Sequence, residues 1–177
     1  MKNLSNSFWN FVQTNGTSRY TPFVISSVQI IYASSSGHTE YVIDSLVDYL
    51  AKKAKDISIE VKRAEEAQAD DLTKGDVLIL ACGTWNTGGV EGQLNMHMDA
   101  LLRERAKDVS LAKKPCAIIA LGDDRYYYTG RATEHLMQFV IQHDGVTPFT
   151  PLLVINEPYG QEEKIQKWGD KFLESLK

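Results

Sequence analysis

Cysteine is scarce in this 177-residue chain, which contains only Cys82 and Cys116. Each lies in an apolar run and the two form no C-x-x-C motif, so they predict free thiols in the core, not a disulfide framework. Free thiols favour a reducing compartment, and we expect a cytoplasmic protein. No apolar stretch approaches the roughly 20 residues that span a bilayer, and the first residues lack the apolar segment of a signal peptide. We therefore expect no membrane partner.

Acidic residues are missing from the start of the chain. Residues 1–27 contain Lys2 and Arg19 and no acid, so the remainder has 17 bases against 23 acids and a net charge of −6. An acidic body disfavours nucleic-acid binding and favours docking on basic surfaces of partner proteins. The content of 43% hydrophobic and 24% charged residues is typical of a globular protein. The length fits one domain.

Apolar runs of strand length alternate with stretches of helical spacing. Strands are predicted over residues 27–33, 57–62, 76–82, 115–121 and 149–155, and helices near 41–50, 93–107, 131–143 and 161–176. Such alternation predicts a parallel sheet with helices on both faces, which is a three-layer α/β/α sandwich. Ligands of such sheets bind beyond the carboxyl ends of the strands.

The loop after the first strand is rich in hydroxyl groups and precedes a helix. Its members are Ser34, Ser35, Ser36, Gly37, His38 and Thr39. The unpaired N–H groups and the dipole of a helix N-terminus bind anions. The loop has no Lys or Arg, which excludes a nucleotide P-loop, and it lacks the G-x-G-x-x-G spacing of a dinucleotide site. It favours a phosphate monoester, with the alternative that Ser36 or Thr39 only caps the helix.

Two further loops, 83–92 and 122–130, carry aromatic residues directly after buried strands. Trp85 in one and the run Tyr126–Tyr128 in the other can stack on a flat ligand ring. Asp123 can accept a hydrogen bond from a ring N–H. The alternatives are a Trp folded back on its own helix and an ordinary turn with tyrosines over a neighbouring helix. Together the three loops predict a phosphate cradle and two aromatic plates around one crevice.

With these motifs in this order and spacing, residues 27–177 resemble the flavodoxin family in its short-chain form. The segments that carry the resemblance are 34–40, 81–85 and 121–128. The resemblance implies a five-stranded parallel sheet of order 2-1-3-4-5 with FMN at the switch point, and flavodoxins are the standard example of that rule. Residues 140–153 leave no room for the insertion that distinguishes long-chain members.

The resemblance also implies which residues bind FMN non-covalently. Its phosphate would lie on residues 34–39, its ring between Trp85 and Tyr126, and the pyrimidine end of the ring near Asp123. The other residues of this cofactor-binding set are Gly83, Thr84, Asn86, Thr87, Gly88, Leu121, Gly122 and Tyr128. Thr84 and Asn86 would contribute backbone groups.

The implied function is that of a low-potential one-electron carrier, an electron-transfer flavoprotein and not an enzyme. Its partners would be a flavodoxin or ferredoxin reductase as donor and an electron-accepting enzyme, and the carrier would be a monomer. Four acidic residues are expected to lower the reduction potential of the bound flavin: Glu91, Asp99, Asp123 and Asp124. Two basic residues, His97 and Arg125, are expected to oppose this effect in part.

Other classes of protein share these loops. An FMN-dependent NAD(P)H:quinone oxidoreductase, which would be an enzyme, and a flavodoxin-like redox activator of another enzyme are the first alternatives, and a flavin-free interaction domain is the next. A signalling receiver domain needs an acidic cluster after the first strand. Here that strand ends in Ala33 and Ser34, which excludes a receiver.

The chain departs from the family in two places. Asn86 stands where many members have a Gly whose peptide bonds to the reduced ring, and Asn adopts positive φ less readily than Gly. We expect a less stabilised neutral semiquinone than in a Gly-bearing relative, and we expect Asn86→Gly to increase the amount of semiquinone that forms.

The second departure is residues 1–26, an extension in which Leu4, Phe8, Phe11 and Val12 could form one apolar stripe. We expect it to dock on the domain, with a partner-binding arm or a transit-like segment as alternatives.

Overall fold

A computed structural model describes residues 9–10, 21–22, 25–87 and 90–176 of the chain. From residue 25 onward the elements are β1 (Ser27–Ala33), α1 (His38–Lys53), β2 (Ser58–Arg63), α2 (Ala69–Thr73), β3 (Val77–Thr87), β4 (Val90–Leu94), α3 (Met96–Ala100), β5 (Cys116–Gly122), α4 (Ala132–Gln142), β6 (Leu152–Ile155) and α5 (Glu162–Ser175). A π-helical turn, Leu101–Arg105, continues α3. No helix in the described residues has the length and apolar character needed to cross a membrane.

Five parallel strands form the main sheet in the order β2-β1-β3-β5-β6. Among the parallel strands alone this order is 2-1-3-4-5, which confirms the predicted fold. A sixth strand, β4, pairs antiparallel with the far end of β3. This extra strand is not predicted from the sequence, in which the glycine-rich segment indicates a loop.

Burial explains the position of each strand. The stretch from Val77 to Cys82 in β3 is completely buried, because helices cover both faces of this central strand. At the edge, β2 leaves Val61 40% exposed. One apolar cluster lies under α1 and α5, and the other lies under α3 and α4. Cys82 and Cys116 are free and buried in these layers, as predicted, and burial raises the pKa of each thiol to about 12.

Several boundaries differ from the prediction. The glycine-rich segment 83–92 is not an open loop, because β3 runs on to Thr87 and turns back as β4. The following helix begins at Met96, later than expected, because this hairpin occupies the preceding residues. The last strand covers only Leu152–Ile155, since the nearby Pro151 has no N–H to donate to a ladder.

Most of the predicted N-terminal extension lies outside the described residues. An antiparallel ladder pairs Trp9–Asn10 with Thr21–Pro22. Leu4, Phe8, Phe11 and Val12, the predicted apolar stripe, are outside the described part of the chain. The expected docking of this segment therefore stays a prediction.

The topology brings the three loops together. β1 and β3 are neighbours in the sheet, and the chain leaves them toward opposite edges. Their carboxyl ends therefore form the switch point, where α/β sheets bind ligands. The loop after β5 joins them from the other side of β3.

Candidate functional site

A cavity of about 470 Å³ opens at the switch point. Its size lies within the roughly 300–1,000 Å³ typical of small-molecule sites. The predicted residues that line it are Ser34, Ser35, Ser36, His38, Thr39, Gly83, Thr84, Trp85, Leu121, Gly122, Asp123, Tyr126 and Tyr128. The three loops therefore do form one crevice.

The remaining predicted residues stand elsewhere. Gly37 lies in the chain between two lining residues and forms the N-cap of α1. Asn86 and Thr87 continue β3 into the hairpin, where they pair with Glu91 and Val90. Gly88 lies outside the described residues. For Asn86 and Thr87 the structure describes only the backbone course.

The start of α1 has no side-chain cap. Gly37 adopts φ 85°, a left-handed conformation that favours glycine, and its carbonyl accepts from the N–H of Tyr41 at 2.9 Å. Gly37, and not Ser36 or Thr39, occupies the N-cap position, and a glycine has no side chain that could bond to the first-turn N–H groups. The alternative that these residues merely cap the helix is therefore wrong. The first turn of α1 keeps its positive end available for an anion.

One hydroxyl of the loop has no partner. Ser34 is 8% exposed, and its Oγ is buried without a hydrogen bond. A buried polar atom left unpaired costs roughly 1–3 kcal/mol. Such an atom beside an uncapped helix N-terminus fits a phosphate oxygen. The donor set of the loop is thus suited to a phosphate monoester.

The hydroxyl of the next residue, Ser35, accepts a hydrogen bond from Asn95, which was not predicted as a site residue from the sequence. Nδ2 of Asn95 donates to Oγ of Ser35 at 2.7 Å, and Oδ1 of Asn95 accepts from the N–H of His97 at 3.0 Å. Asn95 is 3% exposed and also lines the cavity. An Asn before a helix is a recognisable N-cap signal. Its contact with Ser35 depends on the tertiary fold.

Two aromatic side chains stand at the rim. Trp85 is 40% exposed and Tyr126 is 48% exposed, and both line the cavity. Trp85 is thus at the rim as predicted. Tyr127, at 87% exposed, is not among the lining residues. Tyr128 lines the cavity and also lies under the guanidinium of Arg131, whose Cζ is 4.7 Å from the ring centroid.

The third loop combines tight packing with an ion pair. A Cβ at Gly122 would collide with Thr129, whose Oγ1 is also buried without a partner. The carboxylate of Asp123 accepts from Nε of Arg125 at 2.8 Å and from its backbone N–H at 3.0 Å. The side-chain bond from Arg125 is the main cause that lowers the pKa of Asp123 to about 2. A ring N–H would have to share this carboxylate with Arg125.

The acidic residues that were expected to lower the reduction potential of the flavin differ in whether they line the cavity. Glu91 and Asp123 line the cavity. Asp99 is not among the lining residues and pairs with Arg103 at 2.8 Å. The structure adds Glu157, which lines the mouth of the cavity.

The turn after β6 forms a fourth side of the cavity, through Asn156 and Glu157, and was not predicted from the sequence. Asn156 has φ 66°, and its side chain accepts from the N–H of Asp124 at 3.0 Å and donates to Oδ2 of Asp124 at 2.9 Å. Oε2 of Glu157 lies 3.1 Å from Nε2 of His38. This turn therefore connects the third loop with the first. The sequence does carry one signal for it, because a turn that follows a parallel strand lies at the edge of the sheet where ligands bind.

Comparisons with known proteins agree with this geometry. A family model described as "Flavodoxin" matches residues 30–168. A flavodoxin of Maridesulfovibrio salexigens is 23% identical over 154 residues, which cover 86% of this chain and all of that protein. Flavodoxin 1 of Azotobacter vinelandii is 32% identical over 101 residues, which cover 56% of this chain and 54% of that one.

Solved structures show the same fold. Oxidised flavodoxin 1 from Bacillus cereus matches with a TM-score of 0.74 and 24% identity, over 84% of this chain and 98% of that one. Flavodoxins are FMN-binding electron carriers and not classical enzymes. Because the family model spans the chain from β1 into α5, this protein belongs to the flavodoxin family.

Proposed function

We propose that this chain is a low-potential one-electron carrier that binds one FMN molecule non-covalently in the switch-point cavity. The observation that carries the proposal is the buried, unpartnered Oγ of Ser34 beside the uncapped start of α1. Bound FMN supplies the redox chemistry, while the protein orients the cofactor and sets its potential. The FMN-binding domain is residues 27–177, and residues 1–26 are an extension.

The phosphate end of the site is the neutral, hydroxyl-rich loop 34–39. We assign the phosphate to the backbone N–H groups at the start of α1, to the hydroxyls of the loop and to His38. The helix dipole favours an anion at this place. Thr39 is buried in the first turn of α1, so its hydroxyl is less accessible than those of Ser35 and Ser36.

The ring end lies between Trp85 and Tyr126. Large aromatic side chains at the rim offer stacking surface at little cost in conformational entropy. Thr84 uses its hydroxyl to accept from the N–H of Ala132 at 3.1 Å, so it would offer the ring its backbone groups. We assign the edge of the ring to the remaining predicted residues, which are Gly83, Asn86, Thr87, Gly88, Leu121, Gly122, Asp123 and Tyr128.

Negative charge at the cavity favours a low potential. Glu91, Asp123 and Glu157 line the cavity, and an added electron is disfavoured near carboxylates. Arg125 opposes this effect because its guanidinium pairs with Asp123. An acidic surface also suits a basic redox partner and disfavours nucleic acid. We propose a cytoplasmic monomer that takes electrons from a flavodoxin or ferredoxin reductase and passes them to an acceptor enzyme.

A reconstituted electron-transfer assay tests this role. The FMN-loaded chain is added to NADPH, a ferredoxin–NADP⁺ reductase and cytochrome c. We expect cytochrome c reduction to rise in proportion to the chain, with little NAD(P)H oxidation when the chain and a quinone are supplied without the reductase. Rapid reductase-independent turnover with quinone would contradict the carrier role and favour the quinone oxidoreductase.

A further inference from the structure

The side chain of Arg63, on the edge strand β2, contacts the backbone of the phosphate loop 34–39. Arg63 is the last residue of β2 and stands in register with Tyr32 of β1. Its Nη2 donates to the carbonyl oxygen of Ser34 at 3.0 Å, and its Nη1 donates to Oε1 of Glu40 at 2.8 Å. One side chain therefore joins the edge strand, the loop and the first turn of α1.

Glu40 makes this link significant. It lies in the first turn of α1, the turn whose N–H groups would face a phosphate. A carboxylate there is stabilised by the helix dipole, but it competes with any other anion for the same positive end. Arg63 pairs with this carboxylate, and the hydroxyl of Tyr32 donates to it at 2.8 Å. Both contacts engage the Glu40 carboxylate, and Glu40 is not among the residues that line the cavity.

The surroundings hold the guanidinium in place. Nε of Arg63 donates to Oε1 of Glu65 at 2.7 Å, and Arg105 donates to the carbonyls of Ala64 at 2.7 Å and Glu65 at 2.8 Å. Burial, followed by the hydrogen bond to Glu40, raises the pKa of Tyr32 to about 12, so its phenol stays a donor. The Arg63 side chain is 33% exposed. These contacts favour a preorganised arrangement over a mobile surface pair.

We propose that Arg63 is a positioning residue of the phosphate site, which fixes the Ser34 carbonyl and neutralises Glu40 so that the loop can accept a dianion. The inference rests on the proposed function, because the anion is the phosphate of FMN. Without the guanidinium, Glu40 keeps the hydrogen bond from Tyr32 but loses its ion pair, so its negative charge in the first turn of α1 is no longer balanced. The loss should therefore affect ligands that carry the phosphate and spare those that lack it.

The test compares FMN with riboflavin, which has the same ring and no phosphate. Dissociation constants for both are measured by flavin fluorescence quenching in wild type, Arg63→Gln, Arg63→Lys, Glu40→Gln and the Arg63→Gln/Glu40→Gln double variant. Arg103→Gln is the matched control, because it removes an exposed guanidinium from an ion pair that does not line the cavity. Thermal unfolding of each apoprotein checks that it is folded.

We expect Arg63→Gln to weaken FMN binding by about tenfold or more, the effect of losing a charge-assisted contact, and to change riboflavin binding by less than about twofold. Lys keeps the charge but not the fork of donors, so Arg63→Lys should be intermediate. In the double variant, Glu40→Gln should restore much of the lost FMN affinity. Arg103→Gln should match wild type.

Four outcomes would contradict the inference in whole or in part. Equal losses for FMN and riboflavin in a folded Arg63→Gln protein would show a merely structural role. Unchanged FMN affinity in that variant, with tight wild-type binding, would contradict the inference and leave the proposed function intact. A wild-type protein that binds no FMN would overturn both. A double variant no better than Arg63→Gln would contradict the neutralisation of Glu40.

Discussion

The side-chain amide of Asn95 donates to the hydroxyl of Ser35 across 2.7 Å, which ties the start of α3 to the phosphate loop. Serine is as good an N-cap residue as asparagine, so Asn95→Ser should keep the start of α3 and lose this hydrogen bond. One hydrogen bond is worth about 1 kcal/mol, and we expect the Kd for FMN to rise roughly 5–10-fold. Isothermal titration calorimetry measures this change.

The control for that experiment separates the loop from the helix cap. Asn95→Ala removes the hydrogen bond and the cap together, so it should also lower the melting temperature. If Asn95→Ser bound FMN as tightly as wild type, the link to Ser35 would have no role in the site.

The three consecutive tyrosines provide a matched test of ring stacking. Tyr126 lines the cavity, whereas Tyr127 does not line it and is 87% exposed. Stacking of a flat ring on an aromatic side chain is worth about 1–3 kcal/mol. We expect Trp85→Ala and Tyr126→Ala each to weaken FMN and riboflavin binding about 5–100-fold, and Tyr127→Ala to stay within about twofold. Equal losses of FMN affinity for Tyr126→Ala and Tyr127→Ala would contradict the assignment of Tyr126 as a stacking residue.

The acids differ in their expected influence on the potential. Glu91 lines the cavity, whereas Asp99 is paired with Arg103 and does not. A carboxylate about 8 Å from the ring contributes roughly 2 kcal/mol at an effective dielectric constant near 20, or about 90 mV for one electron, as an upper bound for a partly exposed group. We expect Glu91→Gln to raise the potential of the second electron by tens of millivolts, and Asp99→Asn to raise it less. A redox titration with equal shifts would contradict this ranking.

Asp76 should make the fold sensitive to acid. Its Oδ2 accepts from the backbone N–H groups of Ser26 at 2.8 Å and Ser27 at 2.9 Å, and from their hydroxyls at 3.1 and 2.8 Å. Burial alone would raise the pKa of Asp76, but these hydrogen bonds outweigh it and hold the pKa below its ordinary value. A lowered folded pKa adds stability above the unfolded value near 3.9, and this stability is lost as the pH falls through the folded pKa.

The corresponding variant is Asp76→Asn. We expect the free energy of unfolding to fall by about 1–3 kcal/mol at pH 7, and the difference from wild type to shrink below about pH 4. Urea denaturation at a series of pH values measures it, with the exposed Asp48→Asn as control. A difference independent of pH would mean that the charge of Asp76 is not the cause.

The parallel sheet and its order were predictable because the sequence carries strong local signals. The stretch from Val77 to Cys82 is apolar at every position and is buried as a central strand. The first and third loops follow from the same signals, since each begins where such a run ends, whereas the segment after Cys82 continues as a strand into the β3–β4 hairpin. The N-cap role of Gly37 depends on its own backbone conformation, which a glycine permits.

The rest of the site depends on contacts between distant residues. The bond from Asn95 to Ser35 joins positions 60 residues apart, and the bonds between Asn156 and Asp124 join positions 32 apart. No local pattern encodes such pairs before the fold is known. The β3–β4 hairpin was missed for a different reason, because glycines interrupt its alternation and favour a loop assignment.

The most direct test of the central claim is an absorption titration of the purified full chain with FMN. We expect a yellow protein that binds one FMN per chain, with a perturbed flavin spectrum and release of intact FMN by acid. A folded protein that stays colourless and leaves the spectrum of added FMN unchanged would contradict it.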